Sequence, residues 1–287
     1  MLHSTKQFRN ILSAVLLMFI TAFFTACGDS KDSKTESKAE SKADNSLDEI
    51  KKRGIVKIGV FSDKPPFGFI NEKGQNDGYD VYISRRIAKD LLGSEDKVEF
   101  VLVEAAARLE YLKANKVDII MANFTQTPER EKVVDFAKPY MKVSLGVVSK
   151  NGEITDEAQL QGKTLIVNKG TTADMYFSKQ TGINLLKFDQ NTETFQAFLQ
   201  GKGDALAHDS TLLFAWVKEH PDYKVGIAEL GGIDKIAPAV KKSNKELLEW
   251  LNNEITTLQE QGFFKEAYEA TLAPAFSSDI TPEMVIY

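Results

Sequence analysis

The chain has 287 residues, enough for two domains, and at 43% hydrophobic and 27% charged it has the balance of a globular protein. A net charge of -5 with no strongly basic folded stretch argues against a nucleic-acid partner. Cys27 is the only cysteine, which excludes an intramolecular disulfide and leaves stability to the core.

Lys6 and Arg9 precede an apolar run, "ILSAVLLMFITAFF" (11–24), and the small residues Thr25 and Ala26 follow it. Residues 1–26 therefore read as a secretory signal peptide, with an apolar stretch short for a membrane span. The "FTAC" that ends it is similar to a bacterial lipoprotein cleavage site, which implies that Cys27 carries lipid. Residues 28–46 hold no large apolar side chain, so 27–46 is expected to be a lipidated, flexible tether.

Folded sequence begins near Leu47. "GIVKIGVF" (54–61) alternates like a strand, and 79–93 has helical apolar spacing that ends at Gly93. A strand over 97–103, a helix over 106–116 and a strand over 117–123 follow. The next helix opens at Pro128, with Thr127 as its N-cap. This β-α-β-α-β-α order predicts an α/β domain with a largely parallel sheet.

A long β-rich stretch, 143–150, is a candidate crossing into a second lobe. Beyond it come helix, strand, Gly-containing turn and helix (156–180), a strand (183–189), a helix (192–203), a strand (204–210) and a helix (211–220). Residues 231–242 are again extended, and 244–272 is amphipathic and helical, with a break near Gly262. "ANKVDIIMANFT" and "QGKGDALAHDS" echo each other, so the two lobes are expected to be built alike.

Ligands of open parallel sheets sit beyond the carboxyl ends of the strands. Three polar groups fall at such ends. The first is Asn123, Thr125 and Arg130, the last a cation in the first turn of a helix, where the macrodipole disfavours it unless an anion is near. The second is "NKGTT" (168–172), where Thr171 and Thr172 start a helix with free N–H groups. The third is Asp209. Together they suit a zwitterion: Arg130 and the Thr172 N–H for a carboxylate, and Asp209, the Thr125 hydroxyl and the Asn123 carbonyl for an ammonium. Taken singly, Arg130 could pair with Glu129 or Glu131, and Asp209 could cap the helix that starts at Ser210.

"TPERxxxVDFAKPY" (127–140), "LQGKTLIVNKGTT" (160–172), "GKGDALAHDS" (201–210) and "PPFGF…GYDV" (65–81) occur in order. They resemble the family 3 solute-binding proteins, the polar amino-acid receptors of ABC importers, over about 47–272. The resemblance implies an α/β, type II periplasmic-binding-protein clamshell of two lobes, each a mixed, mainly parallel sheet flanked by helices and joined by two hinge strands near 142–146 and 234–242. Lobe 1 is then 47–142 plus 241–287, and lobe 2 is 146–234. It implies a small polar L-amino acid as ligand, with cysteine favoured, held by Arg130, Asp209, Thr125, Asn123, Thr172 and Thr171, with Phe67 of the "PPFGF" stretch in the pocket. Where many members carry aromatics, this chain has Lys64 and Ala105. Lys64 and Arg108 could therefore face an acidic or thiol side chain, or Arg108 could be an exposed helix residue.

The expected partners are an amino acid, an inner-membrane ABC permease and, through the lipid, a bacterial membrane facing the periplasm or cell surface. A monomer with no cofactor and no metal is expected. Two alternatives are a lyase on the same fold, like cyclohexadienyl dehydratase, and a surface adhesin or antigen with a vestigial site. The lyase would need an acid or base, for which His208 and Glu104 are the candidates. His208 alternates with Asp209 and is expected to face away from the ligand.

Overall fold

The computed structural model describes residues 46–287. The expected signal peptide, Cys27 and all of the expected tether except Ser46 lie outside the described residues. The Ser46 hydroxyl accepts from the Glu49 N–H at 3.3 Å and so starts α1 (Leu47–Arg53), which Gly54 ends in the left-handed conformation.

Strands β1 (Val56–Val60), β2 (Asp63–Lys64), β3 (Gly68–Ile70) and β4 (Asn76–Asp77) lead into α2 (Tyr79–Leu92). Then come β5 (Val98–Leu102), α3 (Arg108–Lys113), β6 (Ile119–Ile120), α4 (Pro128–Glu131) and β7 (Val134–Phe136). The chain continues through β8 (Met141–Lys150), β9 (Thr164–Asn168), α5 (Thr172–Phe177), β10 (Asn184–Phe188), α6 (Asn191–Leu199), β11 (Ala205–Asp209), α7 (Ser210–Glu219) and β12 (Tyr223–Ile236). It closes with β13 (Ala239–Lys241), α8 (Lys245–Glu260), α9 (Phe263–Ala267) and α10 (Pro282–Val285). Gly262, at φ 72°, makes the expected break between α8 and α9.

The first sheet has the order β5-β1-β6-β13-β7. Strands β5, β1 and β6 are parallel, whereas β13 inserts antiparallel between β6 and β7. The sheet is therefore mixed, because a strand returning from the other sheet completes it. The second sheet, β10-β9-β11-β8-β12, is built the same way, with three parallel strands and antiparallel β8 and β12. A small third sheet, β2-β3-β4, carries Lys64.

The strand expected over 117–123 pairs as a ladder only at Ile119–Ile120. Asn123, at φ 43°, turns the chain out of the sheet in a region that asparagine tolerates. The passage between sheets runs from Phe136 to Met141, and the return from Ile236 to Ala239. Residues 142–146, expected as a crossing, already lie inside β8 and pair with β12, as at Val143↔Asp234 and Ser144↔Ile233. The two crossings bond to each other through Tyr140 N–H to the Ile236 carbonyl (3.0 Å) and Ala137 N–H to the Pro238 carbonyl (2.9 Å).

Each sheet buries its own apolar layer. Helix α2 packs Ile83, Ile87 and Ala88 with Ile58 and Val60 of β1, and α5 packs Ala173 and Phe177 with Leu165 and Val167 of β9. Each fully buried aliphatic or aromatic side chain contributes about 1.5–3 kcal/mol. Among the described residues no helix is long and apolar enough to cross a membrane.

Candidate functional site

Helix α4 is one turn long, and its start is local chemistry. Pro128 sits at N1 and the Thr127 hydroxyl accepts from the Arg130 N–H at 3.3 Å. The Arg130 side chain is only 4% exposed. It donates to the Thr125 carbonyl (2.7 Å) and, from Nη2, to the Gly170 carbonyl (2.9 Å). Its guanidinium carbon lies 4.5 Å from the Phe124 ring centroid. Burial lowers its pKa to about 10 despite the pull of Asp209, Asp234 and Glu129.

Arg108 lies on the same ring, with its guanidinium carbon 4.3 Å from the Phe124 centroid. It is a buried residue rather than an exposed helix side chain, at 3% exposure. Its donors meet the carbonyls of Ala105 (2.9 Å), Ala122 (3.0 Å), Asn123 (3.3 Å) and Gly170 (3.1 Å). Burial first, and then the like charge of Arg130, push its pKa well down. The Asn123 carbonyl, expected as an acceptor for an ammonium, is thus already used by Arg108.

Gly170 belongs to the turn between β9 and α5, and both arginines belong to the first sheet's side. Its carbonyl therefore ties the two halves together. At φ 74°, a Cβ on Gly170 would stand 2.5 Å from Cα of Ala106. The cleft closes here backbone against backbone, and only glycine fits. Gly170→Ala should hold the halves apart and weaken ligand binding by at least about tenfold, or 1.4 kcal/mol. Calorimetry of both chains checks this, and equal affinity would show that closure does not use this contact.

Lys64, on β2, is 2% exposed. Its ammonium donates to Asn123 Oδ1 and to Asp209 Oδ2, each at 2.7 Å. Burial lowers its pKa, and Asp209 partly offsets this. Phe61 and Phe67 flank it, with ring centroids 5.3 and 5.8 Å from the ammonium. Asp209 ends β11 and makes no side-chain cap to α7, so the capping alternative does not hold. Burial alone would raise its pKa, but the Lys64 ammonium beside it holds the carboxyl below the usual carboxylate range.

The Thr171 hydroxyl caps α5 by accepting from the Asp174 N–H (3.2 Å), and it donates to the Asn168 carbonyl (2.7 Å). Thr172, half-buried, is the first residue of that helix. Thr125 is buried, and its carbonyl accepts from Arg130.

His208 is buried and stacks near Phe195 at 6.5 Å. Its Nδ1 accepts from the Asp209 N–H (2.7 Å), so Nε2 carries the hydrogen and donates to Asn191 Oδ1 (3.1 Å). Burial lowers its pKa, and the ring is neutral. Asn191 in turn donates to Asp63 Oδ1 (2.9 Å), a second tie between the halves. Glu104 is exposed and accepts from Gln190 at 3.4 Å. Neither residue considered as an acid or base is placed to serve as one.

Asp80 and Tyr140 escaped the sequence reading. Asp80 is fully buried, and its Oδ2 accepts from the Asn123 N–H (2.7 Å) while Oδ1 accepts from the Tyr140 hydroxyl (2.6 Å). It fixes the turn that presents Asn123 to Lys64. The available signal was an acid inside the apolar start of α2, which is costly unless it is bonded. Burial pushes its pKa up to about 7, against the pull of those two donors. Unfolded, the same carboxyl ionises near pH 4. Between about pH 4 and 7 the unfolded chain therefore holds fewer protons, and rising pH favours unfolding. The wild type should lose stability relative to Asp80→Asn across that window. Urea titrations at pH 4.5 and 7.5 check it; parallel pH profiles would deny Asp80 this role.

A cavity of about 170 Å³ beside Arg130 is lined by Ala105, Leu109, Phe124, Gly170 and Met175, residues from both halves. Among the described residues no group of His, Cys, Asp and Glu could hold a metal ion.

Residues 56–272 match the model of the bacterial extracellular solute-binding proteins, family 3. A solved structure of the solute receptors for L-cysteine of Neisseria gonorrhoeae is 56% identical and superposes with a TM-score of 0.82, covering 84% of this chain and 99% of that one. The cysteine-binding protein from Campylobacter jejuni is 58% identical, with a TM-score of 0.83 over 84% of this chain and 98% of that one. A glutamine-binding protein of Geobacillus stearothermophilus is 34% identical over 222 residues, 75% of this chain and 85% of its own.

Proposed function

This chain belongs to the bacterial extracellular solute-binding proteins of family 3, and from that membership we propose that it is the extracytoplasmic receptor of an ABC importer with L-cysteine as its ligand. The observation that carries the reading is a buried cation and a buried carboxylate, Arg130 and Asp209, in one cleft between two sheets. Likeness at 56% and 58% identity to two cysteine receptors supports the choice of ligand.

Arg130 takes the ligand carboxylate, aided by the N–H groups at Thr171 and Thr172. Asp209 takes the ammonium on Oδ1, because Oδ2 already accepts from Lys64. Thr125 and Asn123 line the same floor, and Phe67 backs Lys64. Contacts from both halves exist together only when the cleft is shut, so ligand shifts the population toward the closed form that a permease reads. The lobes are assigned to 47–136 plus 239–287 and to 141–236, which follow the two sheets and move the expected bounds to the observed crossings. Cys27 is assigned the lipid and 27–46 the tether, which hold a monomeric receptor at the cell envelope.

Titration of the purified chain with each of the twenty amino acids and cystine, under controlled reductant, tests this. One tight ligand, cysteine, is expected. A chain unfolded, stripped and refolded that binds no amino acid would sink the receptor reading.

A further inference from the structure

Three buried cations converge on the cleft. Lys64, Arg108 and Arg130 are 2%, 3% and 4% exposed. Only one of them, Lys64, touches a carboxylate. Both guanidiniums donate solely to backbone carbonyls: those of Ala105, Ala122, Asn123 and Gly170 for Arg108, and those of Thr125 and Gly170 for Arg130. Neutral acceptors satisfy the N–H groups without cancelling charge, and buried charge is costly until it is paired. The Asn123 Nδ2–H is a fourth donor, buried and without a partner.

The negative charges acting on this cluster are few. Asp209 is spent on Lys64. Asp80 is a step away, bonded to Asn123 and Tyr140. Asp234 is half-buried, and Glu129, exposed, lines the cavity beside Arg130; both act on Arg130 rather than on Arg108 or Lys64. His208 is neutral, and Tyr79 and Tyr140 stay protonated because burial raises their pKa values. An amino-acid zwitterion brings no net charge, so it would leave the surplus of cations in place.

Building on the cysteine reading, we propose that the site binds its ligand as a net anion, with the cysteine side chain held as the thiolate by Arg108, Lys64 and Asn123 Nδ2. The S–H bond breaks, the proton passes to the buffer, and the electron pair stays on sulfur. The cleft thereby tells cysteine from serine, whose hydroxyl cannot ionise in this range, and from S-methylcysteine, which has no proton to give.

Free thiols ionise near pH 8.5, so at pH 7 almost every cysteine must lose a proton on binding. Calorimetry of the purified chain at pH 7 in phosphate and in Tris, buffers of very different ionisation enthalpy, counts that proton. Release of about one proton per cysteine is expected, with the Kd tightening about tenfold per pH unit from 6 to 8 and levelling above about 8.5. Serine and S-methylcysteine should bind at least about a hundredfold more weakly, with no proton released. Arg108→Gln should reduce the release. If Arg108→Gln does not fold, the two-buffer count on the wild type decides by itself. Cysteine bound with no proton released overturns the thiolate and leaves the receptor standing. No cysteine binding at all overturns both.

Discussion

Arg130→Ala should raise the Kd for the amino acid at least about a thousandfold, a loss of about 4 kcal/mol. Arg130 is 4% exposed and aims two donors at carbonyls on opposite sides of the cleft, at Thr125 and Gly170. A ligand carboxylate delivered there would, in the variant, be buried against Phe124 without the guanidinium that meets it, leaving only Arg108 nearby. Charge-assisted hydrogen bonds are each worth roughly 1.5–3 kcal/mol, and the stranded carboxylate adds its desolvation. Arg130→Lys should fall between, since an ammonium keeps the charge and loses the planar fork. The folded chain itself should tolerate the change, because a desolvated cation is removed. Calorimetry gives the affinity and a urea titration gives the stability. A Kd within threefold of the wild type would take Arg130 out of the site.

Removing Asp209 should damage folding and binding together. In Asp209→Ala, Lys64 keeps its buried ammonium and loses the carboxylate at 2.7 Å. Breaking a buried pair in this way costs about 3–5 kcal/mol. Replacing both partners by apolar groups of similar volume, as in Lys64→Met with Asp209→Leu, should recover most of that stability. It should not recover ligand binding, because nothing then meets the ammonium. A double-mutant cycle in urea, read beside calorimetry, separates the two effects. If the double variant is as unstable as Asp209→Ala, the pair is not the source of the loss.

Asp209 and Asp80 should also differ in pH response. The folded Asp209 carboxyl is held below its unfolded value, since Lys64 outweighs burial. Its contribution is therefore fully present above about pH 4 and fades only as acid is added below that. Asp80 has the opposite shift, so its effect falls between about pH 4 and 7. A stability slope in that window that is reduced in Asp80→Asn, with Glu254 supplying a remainder, and persists in full in Asp209→Asn would match both assignments.

Much of the local structure was legible because its causes are local. Thr127 and Pro128 start a helix through a hydroxyl and a missing N–H within three residues of each other. Gly262 divides α8 from α9 because it takes a positive φ that other residues resist. Arg130 stood out because a cation in the first turn of a helix is disfavoured unless an anion is near, and Asp209 because a charge at the end of an apolar strand needs a partner. The resemblance to family 3 then supplied the clamshell, which neither periodicity nor spacing contains.

Tertiary structure decided the rest. Lys64 meets Asp209 across 145 positions of sequence, and Asp80 meets Tyr140 across 60. No local pattern encodes such pairs, because they form only where packing brings distant stretches of chain together. The extended reading of 231–242 contains β13, but its place between β6 and β7 was hidden for the same reason, because it comes from the chain's return out of the second sheet. It also decided Arg108. On a helix wheel its charge suggests solvent as readily as a cleft, and only the packing of Phe124 beneath it and the Gly170 carbonyl opposite placed it inside. The sequence by itself determined which residues were costly to leave unpaired. The fold determined their partners, because partnership in a buried site is set by distances that two separately built sheets create when they close.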